Sequence, residues 1–500
     1  MSQLTAAECR LPAVQHMRAA RAIHQVAGLL AAPNACALGA RAPLGPRAVA
    51  LLAAPRRAAS RVAARLGPPR GGHRSAGLLC RAVADVTTDA HTASAPERTP
   101  LPLLDAYKGY VHTSPGVCDE CADDVEVRKA WVVLLLGQLP SHRANAERTR
   151  AHIGEGEDYL ARYQSWEDDY VAYLEEVTGE APAGEGATLL DMVHHKEVLL
   201  RKWGLEDLFA GMKFEENSVC LALYPEVASI LDRVEGCRLQ ATIEKALAGN
   251  LFDAGSAAAV QNIAFCEDDQ EDPSATPECD ADKEKKFKLD AAELAATFNK
   301  AKAKVARPPE GWRFDTLDAI RERAGGSAPW QRALLFCDNA GADVMGMVLL
   351  ARELARSGGP GARIALVANG SAALNDITHA EVMDFVARAA DSDPLLAELL
   401  RDGRVICLPS GQTSTLLDLS RCGPELNGWV AGEMAAGAPP GEWLGGLHGM
   451  GRSLESNWLA ADHFLQGVDI LNLAMVKTEI NAIRLGAEVY DCVVRLRTAA

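Results

Sequence analysis

The sequence predicts an α/β protein: a three-layer sandwich with a mainly parallel sheet, preceded by an N-terminal helical domain. Two observations support this prediction. Between residues 101 and 247, apolar residues recur at spacings of three and four among charged residues, which is typical of helices. From about Trp330 onward, short apolar runs alternate with helical stretches, and strands that alternate with helices form parallel sheets with right-handed crossovers.

The helical region, predicted over residues 85–265, has its clearest periodicity in three stretches: Ala144–Tyr163, Trp166–Val177 and Leu189–Trp203. These stretches predict a bundle or a cap. A short motif at 249–255, G-N-L-F-D-A-G, closes the region. Residues 266–310 are interpreted as an insertion or linker, because 267–288 is acidic and then mixed in charge, with two prolines. We assign no chemistry to this solvated segment.

The α/β domain is predicted over residues 311–500. Its predicted strands are Ala333–Cys337, Arg363–Ala368, Arg404–Leu408 and Val489–Leu496, and its predicted helices are Val344–Arg356 and His379–Ala390. Glycines 358, 359 and 361 end the first of these helices. The spacing of the elements predicts a mainly parallel sheet with right-handed crossovers.

The first 84 residues have the composition of an organellar transit peptide. They contain twelve arginines, no lysine and a single acid, Glu8. A basic tail with no targeting role is the alternative. This segment carries a formal charge of +11, so the remaining chain carries −27. Such an acidic protein is not expected to bind nucleic acid, and no apolar run reaches the ~18–20 residues of a membrane span.

The thirteen cysteines do not form a secreted-type framework. Cys118 and Cys121 form a C-x-x-C pair, but no second pair follows at the spacing of a four-thiolate zinc site. We therefore expect a structural or incidental pair rather than a metal or redox centre. The other cysteines fit a reducing compartment, where thiols stay unpaired.

Polar side chains follow two of the predicted strands. Asp338 and Asn339 come directly after the first strand, and Asn369, Asn375 and Asp376 come after the second. In open parallel sheets, ligands bind beyond the carboxyl ends of the strands. Carboxylate and amide oxygens there would suit Mg²⁺ or Mn²⁺. The alternative is that these residues serve as turn and helix-cap residues, for which Asp and Asn are favoured.

Two further positions could contribute to such a site. Asp343 lies between Gly341 and Gly346, where glycine would let backbone N–H groups approach an anion near a helix start. Lys477 follows an apolar run and is either a phosphate-binding point charge or a solvent-facing helix residue. The run at 445–451, G-G-L-H-G-M-G, matches neither a dinucleotide fingerprint nor a P-loop, and no G-x-S-x-G elbow is present.

Several of these segments, in order, resemble one known family. They are ALYPEV at 222–227, FCDNAGADVMG at 336–346, VANGSAALNDIT at 367–378, LLDLSRCGPEL at 416–426, GMGRSLESN at 449–457 and LAMVK at 473–477. Together they resemble the damage-control phosphatases, once known only as a domain of unknown function. The resemblance covers about residues 195–497 and is strongest to the plant stand-alone enzymes and the phosphatase domain fused to pantothenate kinases.

The resemblance implies a metal-dependent phosphatase that uses Mn, Mg, Co or Ni and acts on a small phosphorylated metabolite. The implied metal ligands are Asp338, Asn339 and Asp376; Lys477 and Arg452 would offset phosphoryl charge, and Asp343 would orient or deprotonate water. Gly449 and Gly451 belong to the signature loop, Asn369 and Asn375 to the substrate-binding loop, and Asn250 and Asp253 complete the pocket wall or serve interdomain structure.

The relatives suggest 4′-phosphopantetheine or its oxidised forms as substrate, with sugar phosphates such as fructose 1-phosphate as the alternative. Similarity to plant proteins favours the chloroplast over the mitochondrion. The sequence departs from the family at His448, where an acid is usual, at Ala372, where proline is usual, and at 410–415. These changes leave the implied ligands intact. The rival interpretations are a carboxyl methyltransferase, for which no glycine-rich strand-end loop is found, and a binding protein without catalysis. The oligomeric state stays open.

Overall fold

The computed structural model describes residues 97–112, 114, 124–179, 181, 185–235, 237–251, 305–326 and 329–500. The presequence, the Cys118–Cys121 pair, Asp253 and the acidic stretch 267–288 lie outside the described residues. The predictions about them therefore stay predictions, as do the predicted domain boundaries.

The N-terminal region forms six helices within its described part: α1 Val125–Gly137, α2 Leu139–Ile153, α3 Glu157–Val177, α4 Leu189–Lys202, α5 Ala210–Asp232 and α6 Arg238–Leu251. The prediction of one helical stretch over Ala144–Tyr163 was wrong. Gly154 adopts the left-handed conformation with φ 74° and ends α2, and α3 then runs without a break to Val177. A capping box between Thr188 and Asp191 begins α4.

The expectation of helix from residue 101 was also wrong. Residues 97–112 are extended or in turns, and Thr99 forms an antiparallel bridge with Cys422. Leu101 and Leu103 are buried beneath one face of the sheet. Prolines 100 and 102 disfavour a helix there, so the segment instead gains its stability by packing against the α/β core.

The α/β region contains a seven-stranded sheet. Its strands are β1 Phe314–Asp315, β2 Arg332–Phe336, β3 Arg363–Ala368, β4 Val405–Pro409, β5 Trp443–His448, β6 Asp469–Met475 and β7 Cys492–Thr498. The strand order is β1-β7-β6-β5-β2-β3-β4. Every neighbouring pair is parallel except β6 and β7, which are antiparallel. This sheet confirms the predicted α/β class.

Helices cover both faces of the sheet. The associated helices are α7 Leu317–Gly325, α8 Ala342–Ser357, α9 His379–Ala390, α10 Pro394–Arg401, α11 Pro424–Ala435 and α12 Glu479–Leu485. Along β2 the side chains alternate: Ala333 and Leu335 pack in the cluster that includes α5, α6, α8 and α9. Leu334 and Phe336 pack in the cluster that includes α11. This alternation makes the three-layer arrangement that was predicted.

Helices α1 to α4 have a separate apolar core, rich in aromatic side chains from α3. That core also takes in Leu416, and Leu374 and Ile480 pack against it. These three residues follow β4, β3 and β6, respectively. The bundle therefore packs against loops at the carboxyl edge of the sheet. None of the described helices combines the length and apolarity of a membrane span.

Candidate active site

The loops after β2 and β3 bring two carboxylates together, as the strand-end placement predicts. Asn339 and Asp376 form a backbone bridge, and the Ile377 N–H donates to the Asp338 carbonyl at 2.9 Å. The side chains of Asp338, Asn339 and Asp376 are all buried. Parallel strands place these residues at one edge, and the backbone bonds between their loops fix the distance between them.

Arg452, in the π-helical turn Gly451–Glu455 after β5, joins these two carboxylates. Its guanidinium donates to Asp338 Oδ1 at 2.5 Å and to Asp376 Oδ2 at 2.8 Å. Burial opposes its charge, but Asp376 and Asp338 outweigh that effect and raise the pKa of Arg452 above its ordinary value. Arg452 is therefore a permanent cation at the point where the two loops meet.

Asp343 lies in the first turn of α8, where a carboxylate is favoured by the helix dipole. Asn339 Nδ2 donates to Asp343 Oδ2 at 2.8 Å and to Asp338 Oδ2 at 3.1 Å. Asn250 Nδ2, at the end of α6, lies 3.3 Å and 3.4 Å from the same two oxygens. The Met475 N–H donates to Asn250 Oδ1 at 3.1 Å. Asn250 thus connects α6, β6 and the acidic residues.

Two glycines allow this approach of α6 to α8. A Cβ on Gly249 would lie 2.4 Å from the Ala342 carbonyl oxygen, and one on Gly346 would lie 2.6 Å from Ala246 Cα. Gly346 serves helix packing, and its expected role beside an anion stays a prediction. The Gly341 N–H donates to Asn217 Oδ1 at 2.7 Å, so that donor is also used within the fold.

The loop after β5 needs glycine for a different reason. Gly449 has φ +84°, and a Cβ there would lie 1.9 Å from Asp338 Oδ2. Gly451 begins the turn that carries Arg452, and a Cβ on it would lie 2.4 Å from the Thr415 carbonyl oxygen. Both glycines let backbone pass close to the site, so the signature loop is shaped around Asp338.

His448, the last residue of β5, is fully buried beside Asp343. Its Nε2 lies 3.4 Å from the Ala246 carbonyl oxygen and 3.6 Å from Asp343 Oδ1. Burial lowers the pKa of His448 to about 3, so the imidazole is neutral at pH 7. At this position the chain therefore carries no negative charge, unlike the acid that is usual in the resembling family.

The other predicted residues are also buried at this edge. Asn369 Nδ2 donates to Asp376 Oδ2 at 3.0 Å and to the Ser414 carbonyl at 2.9 Å. The Asn375 carbonyl accepts from the Ala340 N–H at 3.0 Å, which holds the two loops together. Lys477 lies two residues after β6 and is buried, so the alternative of a solvent-facing helix residue was wrong.

The donor set fits a hard divalent cation. Three buried carboxylates, from Asp338, Asp343 and Asp376, are accompanied by the cations of Arg452 and Lys477. Buried carboxylates in excess of cations favour a further positive charge. Carboxylate and amide oxygens are the ligands such ions prefer. Within the described ranges, no group of three or more acidic, histidine or cysteine side chains is arranged so that it could hold a metal ion.

The order of the segments and this geometry agree with a comparison to known families. A family model for the damage-control phosphatase ARMT1-like domain matches residues 144–428, more than half of the chain. The chain belongs to this family. The matched range includes Asp338, Asn339, Asp343 and Asp376 and ends before Gly449, Arg452 and Lys477.

Curated relatives agree with this membership in the damage-control phosphatase family. The chain is 32% identical over 424 residues to pantothenate kinase 2 of Arabidopsis thaliana, an alignment of 79% of this chain and 41% of that protein. It is 27% identical to an A. thaliana damage-control phosphatase over 79% of this chain and 94% of the relative. It is 28% identical to the mouse 4′-phosphopantetheine phosphatase, in an alignment that covers 64% of this chain and 35% of that protein. The chain thus spans about two fifths of the pantothenate kinases that it matches.

Among solved structures, a crystal structure of a DUF89 family protein from Pyrococcus horikoshii aligns with a TM-score of 0.45 and 13% identity. The alignment covers 73% of this chain and 97% of that one.

Sequence reasoning missed two polar residues, one at this edge and one in the helical bundle. Asn217, on α5, holds the Gly341 N–H at the start of α8. Lys196, on α4, is buried in the bundle. The second had a sequence signal, because it occupies a position where the three- and four-residue spacing of α4 calls for an apolar side chain.

Proposed function

We propose that this protein is a metal-dependent phosphomonoesterase of a small phosphorylated metabolite, with 4′-phosphopantetheine or its oxidised forms as the preferred class. The observation that carries the proposal is the contact of Arg452 with both Asp338 and Asp376. It places a permanent cation beside two carboxylates that could act as ligands of a divalent metal. A phosphate dianion is stabilised by both the guanidinium and the metal ion. The similarity to the mouse 4′-phosphopantetheine phosphatase supports the substrate class.

Asp338, Asn339 and Asp376 would hold the cation. When bound, a divalent metal neutralises phosphoryl oxygens and lowers the pKa of water. Arg452 and Lys477 offset the charge that develops on the phosphoryl oxygens. Asp343 orients the attacking water and accepts its proton as the oxygen–phosphorus bond forms. The ester P–O bond breaks, and the released alcohol oxygen takes a proton from solvent.

Neighbouring amides support these roles by holding the acids in place. Asn250 donates to Asp338 and Asp343, and Asn369 donates to Asp376. Each amide therefore fixes a carboxylate rotamer before substrate binds. The buried surroundings of these residues strengthen the charge interactions among them.

A binding protein without catalysis is the second candidate. The observation that favours it is His448, because a neutral imidazole stands where the resembling enzymes have an acid. A sugar-phosphate phosphatase is the alternative within the same reaction class. We further propose import into the chloroplast, with the mitochondrion as alternative, on the arginine-rich composition of residues 1–84.

Phosphate release by the full chain tests the reaction class. The protein is stripped with EDTA and supplied with Mg²⁺, Mn²⁺, Co²⁺ or Ni²⁺. The substrates are 4′-phosphopantetheine, its sulfonate, fructose 1-phosphate and p-nitrophenyl phosphate. We expect turnover that returns with metal and is lost in Asp376→Asn. The matched control is Asp462→Asn, which removes an exposed carboxylate paired with Arg497. If the folded protein releases no phosphate with any of these metals, the phosphatase proposal fails and the binding-protein interpretation is favoured.

A further inference from the structure

Residues 99–112 form an N-terminal strap that joins two loops of the α/β region. At the start of the strap, Thr99 forms its antiparallel bridge with Cys422, in the loop after β4. At its end, the Asn457 N–H, in the loop after β5, donates to the His112 carbonyl at 2.7 Å. The second of these loops also contains the π-helical turn of the proposed site, so the strap is attached directly beyond that turn.

The Tyr110 hydroxyl, within the strap, makes one hydrogen bond with each loop. It donates to Asn457 Oδ1 at 2.5 Å and accepts from the Leu419 N–H at 3.1 Å. Burial raises the pKa of Tyr110 above its ordinary value, so the hydroxyl keeps its proton and remains a donor. The ring packs edge-on against His463, with the ring centroids 5.8 Å apart. These contacts hold the hydroxyl in one place.

Asn457 connects Tyr110 to the turn that carries Arg452. Its Nδ2 donates to the Leu417 carbonyl at 2.8 Å and to the Arg452 carbonyl at 3.2 Å. Only 1% of Asn457 is exposed, and its φ of 63° is a left-handed conformation that asparagine adopts more readily than most residues. Because Tyr110 donates to Oδ1, the carboxamide must present Nδ2 to the two carbonyls. The strap therefore fixes the orientation of this amide.

Arg452 is held at two points. Its carbonyl accepts from Asn457, and its guanidinium donates to Asp338 and Asp376. The backbone between these points is a single π-helical turn, a rare conformation that often occurs at functional sites. A shift of the Arg452 carbonyl would move the guanidinium relative to both carboxylates. The direction of the guanidinium therefore depends on the hydrogen bond from Asn457.

We propose that Tyr110 is a positioning residue of the active site: through Asn457, its hydroxyl sets the orientation of the turn that presents Arg452. The proposal rests on the proposed function for the role of Arg452. A cation that stabilises charge in the transition state is most effective when it is placed before the reaction begins. Loss of the Tyr110 hydroxyl should therefore reduce turnover more than it weakens substrate binding.

Tyr110→Phe tests the proposal, because it removes the hydroxyl and keeps the ring. With the full chain, Mn²⁺ and p-nitrophenyl phosphate, we expect kcat to fall about 5- to 30-fold and KM to change less than about twofold. The matched control is Thr99→Val, which removes another hydroxyl of the strap, one that accepts from Asn427 Nδ2 on α11 at 2.8 Å. Its kcat should equal that of the wild type. Equal kcat in Tyr110→Phe and Thr99→Val would overturn the proposal.

Asn457→Gly is a second variant, since glycine keeps the left-handed backbone and removes the carboxamide. It should lower kcat at least as much as Tyr110→Phe does. The double variant should be no less active than Asn457→Gly alone, because Tyr110 acts through Asn457. Additive losses would show that Tyr110 acts by another route, which would overturn the proposal. If Tyr110→Phe does not fold, the kcat of Asn457→Gly is compared with that of Thr99→Val, and equal values have the same meaning.

Thermal unfolding in EDTA separates this proposal from the proposed function. Tyr110→Phe should destabilise the wild type more than it destabilises Arg452→Met, because the turn is fixed at both points only when the guanidinium is present. Equal destabilisation in the two backgrounds would reject the positioning role. If this coupling is found but the wild type releases no phosphate with any metal, the phosphatase function alone is rejected.

Discussion

Gly449 and Asp338 contact each other at the ends of β5 and β2, so closely that no side chain fits between them. A Cβ at position 449 would lie 1.9 Å from Oδ2 and 2.1 Å from Cγ of Asp338. Asp338 is also held by hydrogen bonds from Arg452 and from two amides. The position of the proposed metal ligand and the backbone of the signature loop therefore depend on each other.

Gly449→Ala should reduce metal-dependent phosphate release at least 100-fold, because the added methyl group displaces the Asp338 carboxylate. The measurement is kcat/KM with saturating metal. Gly437→Ala is the matched control: this glycine also has positive φ, +102°, but its Cβ would meet nothing within 4 Å. Both variants carry backbone strain, but only in Gly449→Ala does the added methyl group overlap another residue, Asp338. Equal activities in the two variants would contradict the proposed role of Asp338.

Arg452→Met should destabilise the metal-free protein by about 3–5 kcal/mol, since it leaves two buried carboxylates without their shared cation. A divalent metal should then raise the Tm of the variant more than that of the wild type, because the ion replaces part of the lost charge. Thermal unfolding with EDTA and with added Mn²⁺ measures both effects. Arg497→Met, which breaks an exposed pair with Asp462, serves as control and should change stability by less than ~1 kcal/mol. A metal-independent loss would contradict this account.

Asn250→Ala should lower stability by about 1–3 kcal/mol, because the buried Met475 N–H loses its acceptor. It should also lower kcat, since Asp338 and Asp343 lose a shared donor. Thermal unfolding and metal-restored turnover measure the two consequences separately. Gln164→Ala on α3, where the amide contacts the charged side chains of Arg143, Glu167 and Asp168, controls for loss of a carboxamide. Wild-type stability in Asn250→Ala would show that the α6–β6 connection is dispensable.

Glu197→Gln should stabilise the protein at neutral pH. Burial raises the pKa of Glu197 above its ordinary value, and its Oε1 has no hydrogen-bond partner among described residues. The folded state thus disfavours the ionised carboxyl, and stability falls as pH rises through the ordinary value of about 4.5. The variant should have a higher Tm than the wild type at pH 7 and nearly the same Tm at pH 4. A gain independent of pH would mean that the charge of Glu197 is not its cause.

Much of the α/β region could be predicted from local pattern. The predicted strand over Arg363–Ala368 and the predicted helix over His379–Ala390 have the observed bounds. β2 and β4 were displaced by one residue and β7 by up to three. Short buried strands form continuous apolar runs, and these runs are readable without knowledge of the neighbours. The break at Gly154 was not predicted, because one residue in the left-handed conformation ended α2.

β5 was missed although it lies at the centre of the sheet. Its two glycines are unfavourable in a strand by local propensity. In the folded protein a Cβ on Gly446 would lie 2.7 Å from Leu335 Cδ2, and one on Gly445 would lie 2.8 Å from Ile470 Cδ1. The glycines therefore make room for side chains of β2 and β6. That requirement comes from strands distant in sequence, so no local pattern could reveal it.

The sequence by itself determined the α/β class, the family resemblance and the meeting of Asp338 with Asp376, because strand ends follow from local apolar runs and parallel strands share an edge. Only the tertiary structure decided that Arg452 joins both carboxylates. These relations link residues more than seventy positions apart. They depend on how helices and loops pack against one another, and side-chain periodicity contains no information about distances between separate elements.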